Sequence, residues 1–174
     1  MLALTHDMAY PSHHGHPLDP ASLSRQDTNA LLASARTLQR AVRAGTLQPL
    51  LRGKNLGLLC DCEDSDDAVL FRRAALALGA RVAHVRPSLS AHSTPQDVQL
   101  TARMLGRLYD AVECQGMDSA LVEQVGRDAG VPVYDGIAAS THPTARLAEQ
   151  LGGDVPEQDR RRIVLQAVLI GTLV

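Results

Sequence analysis

The chain has 174 residues, 45% of them hydrophobic and 21% charged, with a formal net charge of -2 at pH 7. That length supports one well-buried domain rather than two, and the near balance of charge leaves no electrostatic case for nucleic acid or an anionic membrane as a partner. Aromatic residues are only 2%, with no Trp, one Phe and three Tyr, so the core must be built from Leu, Val and Ala, and stacking platforms for single-stranded nucleic acid are nearly absent.

The N-terminus has no basic region followed by an apolar core, so it does not read as a signal peptide. Residues 1–20 hold Pro11, Pro17, Pro20 and Gly15 with His13, His14 and His16, a composition that predicts an irregular, flexible arm. The triplet could bind a transition metal, or simply be a histidine-rich arm. From Ser22 to Ala44 the pattern changes to Leu23, Leu31, Leu32, Ala35, Leu38 and Val42 at helical spacing, stopped by Gly45.

After "LRGKN" the sequence predicts a strand over Leu56 to Cys60, a helix from about Ser65 to Leu78 closed by Gly79, and a strand over Arg81 to Val85. Such a βαβ unit requires parallel strands. A polar loop with Ser88, Ser90 and Ser93 leads to a helix over Pro95 to Leu108, opened by Pro and Asp97. Then come a strand over Ala111 to Cys114, a helix over Ser119 to Ala129, a strand over Val131 to Tyr134 and a helix after Pro143. The closing run "IVLQAVLIGTLV" follows Arg160 to Arg162, is too short to span a bilayer, and reads as a buried helix. The alternation predicts an α/β fold: a doubly wound, mainly parallel four-stranded sheet with helices on both faces, closed by a C-terminal helix. Ligands are then expected at the carboxyl ends of the strands.

Cys60, Cys62 and Cys114 show neither zinc spacing nor a disulfide framework and read as reduced thiols of a cytoplasmic protein. Cys60 and Cys62 alternate along the predicted strand, which would point both to one buried face, and the carboxylates beside them would raise a thiol pKa.

The first strand-to-helix junction carries the sharpest question. Free N–H groups at a helix start attract phosphate, yet "CDCEDSDDA" places Asp61, Glu63, Asp64, Asp66 and Asp67 there. These oxygens could ligate Mg²⁺ or Ca²⁺, but the spacing lacks the alternating Asp pattern and central Gly of a calcium loop. The other reading is that they cap the helix and complement its dipole.

The pieces "LLRGKNLGLL", "LFRRAALALGARV", "TARMLGRLYDAVE", "AGVPVYDG" and "HPTARLAEQL" resemble, in order and spacing, the carbamoyl phosphate domain of the aspartate and ornithine carbamoyltransferases, with the ornithine branch closer. The likeness covers most of Ser22 to Leu151, and the segment after Glu157 is similar to the family's last helix. The resemblance implies three parts: an arm over 1–20, the α/β domain over 21–153, and a helix over 154–174 that packs back on it. It also implies that the family's second domain, which holds the amino-acid substrate, is missing between Gly153 and Glu157.

The same resemblance exposes changes in the chemistry. The family's phosphate-holding Ser-Thr-Arg-Thr-Arg motif aligns with Asp64, Ser65, Asp66, Asp67 and Ala68, so both arginines are lost. Phe71 is retained, but the family's following Glu is Arg72. The arginine of the family's Tyr-Arg-Gly motif aligns with Gln115. Of the His-Pro-Thr-Gln motif, whose side chains contact the carbamoyl group, His142 and Thr144 remain and the Gln is Ala145. Arg103 is retained, for packing or for a subunit contact.

The implied reading is an ornithine carbamoyltransferase-like protein that has lost carbamoyl transfer, with His142 vestigial and no cofactor or metal. It would form a homotrimer through the family's N-terminal-domain interface and act as a structural, regulatory or ligand-binding protein, with another protein or a small ligand as partner. The alternatives are an enzyme of altered chemistry using the acidic cleft and His142, or residual carbamoyl phosphate binding through backbone N–H groups.

Overall fold

The computed structural model describes residues 24–174. The expected arm, with His13, His14 and His16, lies outside the described residues, as do Ser22 and Leu23 of the first predicted helix. Helix α1 spans Arg25–Arg43, opened by a capping box in which the Ser24 hydroxyl accepts from Asp27 N–H and the Asp27 carboxylate accepts from Ser24 N–H.

Four strands, β1 (Asn55–Leu59), β2 (Arg81–Val85), β3 (Ala111–Cys114) and β4 (Val133–Asp135), form one sheet in the order β2-β1-β3-β4. All three pairings are parallel, with Leu56 opposite Val82 and Ala111, and Glu113 opposite Tyr134. The chain runs from β1 to β2 on one side and then returns to place β3 on the other. That reversal opens a crevice at the carboxyl ends of β1 and β3.

The connecting helices are α2 (Asp66–Ala77), α3 (Pro95–Leu108), α4 (Ser119–Ala129) and α5 (Pro143–Leu151), followed by α6 (Glu157–Leu173). Strand alternation divides the interior into two cores. Leu56, Leu58 and Tyr134 face a core with Phe71, Leu38, Leu147 and the apolar residues of α6, covered by α1, α2, α5 and α6. Leu59, Val112, Cys114 and Val133 face the opposite core, covered by α3 and α4. Residues Ile163 to Ile170 of α6 are all buried, the mark of a helix enclosed on every side. Its one polar member there, Gln166, donates to the Ala74 carbonyl on α2 (3.4 Å). Residues 152–156 join α5 to α6, and Gln39 of α1 donates to the Gly152 carbonyl (3.3 Å), tying that connection to the first helix.

Three local readings are corrected. β1 ends at Leu59 rather than Cys60, because the chain turns there to put its carboxylates in water. Cys62 is therefore exposed while Cys60 and Cys114 are buried; the two neighbouring thiols do not share a buried face. The last strand begins at Val133, not Val131, since Pro132 has no N–H for the ladder, and it runs on to Asp135.

Helices α3 and α4 approach through Gly106: a Cβ there would stand 1.8 Å from the Ala129 carbonyl oxygen. Backbone cannot yield as a flexible side chain does. Gly106→Ala is expected to lower unfolding free energy by roughly 3 kcal/mol, read as a lower denaturant midpoint in urea, while Gly116→Ala, which meets no atom within 4 Å, costs less.

Candidate functional site

Three segments meet at the carboxyl end of the sheet: the turn from Cys60 to Ser65, the turn after β3 at Gln115 to Asp118, and the loop from Gly136 to His142. Between the first two and the segment following β2 lies a cleft of about 210 Å³, lined by Asp61, Ser90, Gln115, Met117 and Asp118 among others. Among the described residues, no Lys, Arg or His lines it. Asp118 is also the N-cap of α4, its carboxylate accepting from the N–H groups of Ala120 (3.0 Å) and Leu121 (3.2 Å).

At the acidic junction, the helix cap is a hydroxyl and not a carboxylate. Ser65 Oγ accepts from Ala68 N–H (3.2 Å), while Asp66 and Asp67 occupy the first turn, where negative charge complements the helix dipole. Asp64 is exposed, Ala68 is buried, and Asp66 is turned toward a hollow of about 50 Å³ that Arg73 of α2 and Arg162 of α6 also line. Glu63 is held from two sides, 3.6 Å from an Arg72 guanidinium nitrogen and 3.5 Å from His84 Nδ1. Arg72 also donates to the Glu63 carbonyl (3.3 Å), and His84 Nε2 lies 2.8 Å from the Cys60 carbonyl oxygen. Glu63 and Arg72 thus form a pair that folds the turn back on the protein. Among the described residues, no three His, Cys, Asp or Glu side chains are grouped to hold a metal ion. Burial raises the Cys60 thiol pKa, against the pull of Arg72, and the nearby acidic groups raise it further.

His142 is the N-cap of α5. Its Nδ1 accepts from Thr144 N–H (3.3 Å) and lies 2.9 Å from the Thr144 hydroxyl, which reaches the Ile137 carbonyl oxygen (2.7 Å). Thr144 is buried, and Ala145 N–H donates to the His142 carbonyl (2.9 Å). Of the residues singled out in the sequence, Asp61 and Gln115 line the cleft; Ser65, Asp66, Asp67, His142 and Thr144 do not.

Sequence reading passed over Glu113. It is fully buried, with Oε1 accepting from Gln115 Nε2 (3.2 Å) and Oε2 from Ile137 N–H (3.3 Å). Burial raises its pKa from about 4.5 to about 8, opposed by those hydrogen bonds and one from Ala138 N–H and assisted by the Asp135 charge. The available signal was a carboxyl inside the short strand "AVEC", on the same face as Ala111.

Residues 16–152 match the family model described as aspartate/ornithine carbamoyltransferase, carbamoyl-P binding domain. The chain belongs to this family. An ornithine carbamoyltransferase of Cutibacterium acnes is 37% identical over 144 residues, which are 83% of this chain and 43% of that protein. One from Actinobacillus pleuropneumoniae is 35% identical over the same shares. This carbamoyltransferase homologue therefore spans less than half the length of the curated relatives it matches. The ornithine carbamoyltransferase of Pyrococcus furiosus superposes with a TM-score of 0.67 at 24% identity, over 79% of this chain and 44% of that one. The Burkholderia thailandensis enzyme gives 0.67 at 18% identity, over 79% and 47%. The shared fold is that of the carbamoyl phosphate domain.

Glu113 sets a pH dependence whose sign follows from its raised pKa. The folded state holds a proton that the unfolded chain releases near pH 4.5, so its contribution to stability is fully present below that value and is lost as pH rises to about 8. Denaturant titrations between these limits should show stability falling with pH, and Glu113→Gln should flatten that slope.

Proposed function

We propose that this chain is an ornithine carbamoyltransferase-like single domain that does not transfer carbamoyl groups and whose scaffold serves a structural, regulatory or ligand-binding role in the cytoplasm. The observation that carries this reading is the electrostatics of the cleft: Asp61 and Asp118 line it, and among the described residues no cationic side chain does. Where the family resemblance calls for phosphate-holding arginines, the chain has Asp66, Ala68 and Gln115. The nearby Arg72 already spends its guanidinium on the Glu63 side chain and carbonyl. A phosphate dianion would meet like charge without a counterion, a repulsion of several kcal/mol where water is partly excluded. His142 acts as a helix cap, which supports a structural role for the retained motif.

Calorimetry with millimolar carbamoyl phosphate is expected to show no binding heat, and ornithine with carbamoyl phosphate should yield no citrulline. Clear saturable binding would sink the reading, as would turnover abolished by His142→Ala.

The same proposal includes self-association as a homotrimer. Leu100, Met104 and Leu108 recur every fourth residue along α3 and are 58%, 50% and 57% exposed. They form one apolar stripe, with the exposed Arg103 and Arg107 at its edge. Light scattering should return a mass three times that of the chain, and Leu100→Lys with Met104→Glu should reduce it to that of one chain; a monomer in both would refute the assembly.

A further inference from the structure

The cleft of about 210 Å³ at the carboxyl end of the sheet is lined by two kinds of side chain. Leu89, Met117 and Leu121 make its apolar part, and Asp61, Asp118 and Gln115 bring oxygen acceptors. Its size lies below the range of drug-sized ligands and suits a molecule of a few heavy atoms.

The polar side chains here have acceptors to spare. Asp118 Oδ1 takes both N–H groups of the α4 cap, from Ala120 (3.0 Å) and Leu121 (3.2 Å), which leaves Oδ2 open. Asp61 is exposed and makes no hydrogen bond or ion pair among the described residues. Gln115 spends an Nε2 proton on Glu113 Oε1 (3.2 Å), and its own Oε1 is buried with no hydrogen-bond partner among the described residues. Ser90 brings a hydroxyl, whose Oγ accepts from His92 N–H (3.2 Å). A buried acceptor left without a donor costs free energy that a ligand N–H recovers. Two carboxylates on a lining without cations set the sign of the charge that ligand carries.

We propose that the cleft is a binding site for a small organic cation, a primary ammonium on a short apolar body. An ammonium group supplies N–H donors and positive charge together, which answers Asp61, the free Asp118 oxygen and Gln115. The alkyl body then leaves water against Leu89, Met117 and Leu121. A carboxylate or phosphate on the same molecule would face Asp61 and Asp118, so the ligand is a simple amine rather than an amino acid or a phosphate ester. This assignment rests on the reading of the chain as a scaffold whose cleft refuses phosphate, and it gives the ligand of that cleft a chemical class.

The probe is n-butylammonium chloride, followed by nitrogen-15 NMR of the whole chain at constant ionic strength. The backbone amides of Gln115 and Met117 and the Gln115 side-chain amide are expected to move along one saturable curve, with a dissociation constant on the order of 1 mM. n-Butanol keeps the alkyl chain without charge and butyrate reverses the charge; both should bind at least about tenfold more weakly. Asp61→Asn and Asp118→Asn should each weaken n-butylammonium at least about threefold, and together about tenfold. Asn serves as an N-cap as well as Asp does, so the second variant keeps the start of α4, and the first lies at an exposed position. Absence of a saturable shift, equal binding of butanol or butyrate, or undiminished binding in the double variant would overturn the site. Carbamoyl phosphate in the same titration separates this inference from the reading beneath it. Shifts of these amides by carbamoyl phosphate, with none from n-butylammonium, would overturn both, whereas silence from both compounds would overturn the cation site alone.

Discussion

The burial of α6 on every side is the constraint on which the remaining structure depends. Eight consecutive residues, Ile163 to Ile170, leave water together, and a helix with no solvent face must be surrounded. α1, α2, α5 and the inner face of the sheet do this. Burying a side chain such as Leu165 or Leu169 contributes about 2 kcal/mol relative to exposure, so this helix provides much of what holds that layer. It also fixes the carboxyl end of the sheet from behind: Arg161 holds the loop after β4, Gln166 reaches α2, and Thr172 meets the Tyr134 hydroxyl at 2.5 Å.

Within that frame, the polar groups at the strand ends are mostly occupied with one another. Ser65 serves the start of α2, Asp118 the start of α4 and His142 the start of α5. Glu63 is shared by Arg72 and His84. In a carbamoyl phosphate domain, such strand ends and helix starts are the natural place for an anion. Here the helix starts are capped by the protein's own side chains, and the remaining cleft is acidic. Fold and family are thus common property with the carbamoyltransferases.

The legibility of the sequence followed the range of the forces involved. Strands and helices stood out because alternation and helical spacing are local, and α3 and α4 lie over the residues expected. The second cap in order, Ser65, was hidden by the acidic residues on both sides of it, since only the backbone path decides which oxygen meets the free N–H groups. Cys62 was misplaced for the same reason: alternation holds only while the strand continues, and the turn at Asp61 ends it.

What the sequence alone determined is the layered α/β architecture, the order of its elements, the kinship carried by "LFRRAALALGARV" and "HPTARLAEQL", and the cluster of acidic residues at one strand-to-helix junction. These are properties of neighbours along the chain. The tertiary structure alone decided that Gln115, Glu113, Ile137, Thr144 and His142 form one connected run, and that burial raises the pKa of the carboxyl in "AVEC". The physical reason is that desolvation and hydrogen bonding depend on what surrounds a group in space, and residues 113 and 137 become neighbours only when β3 and β4 pair and the loop above them closes.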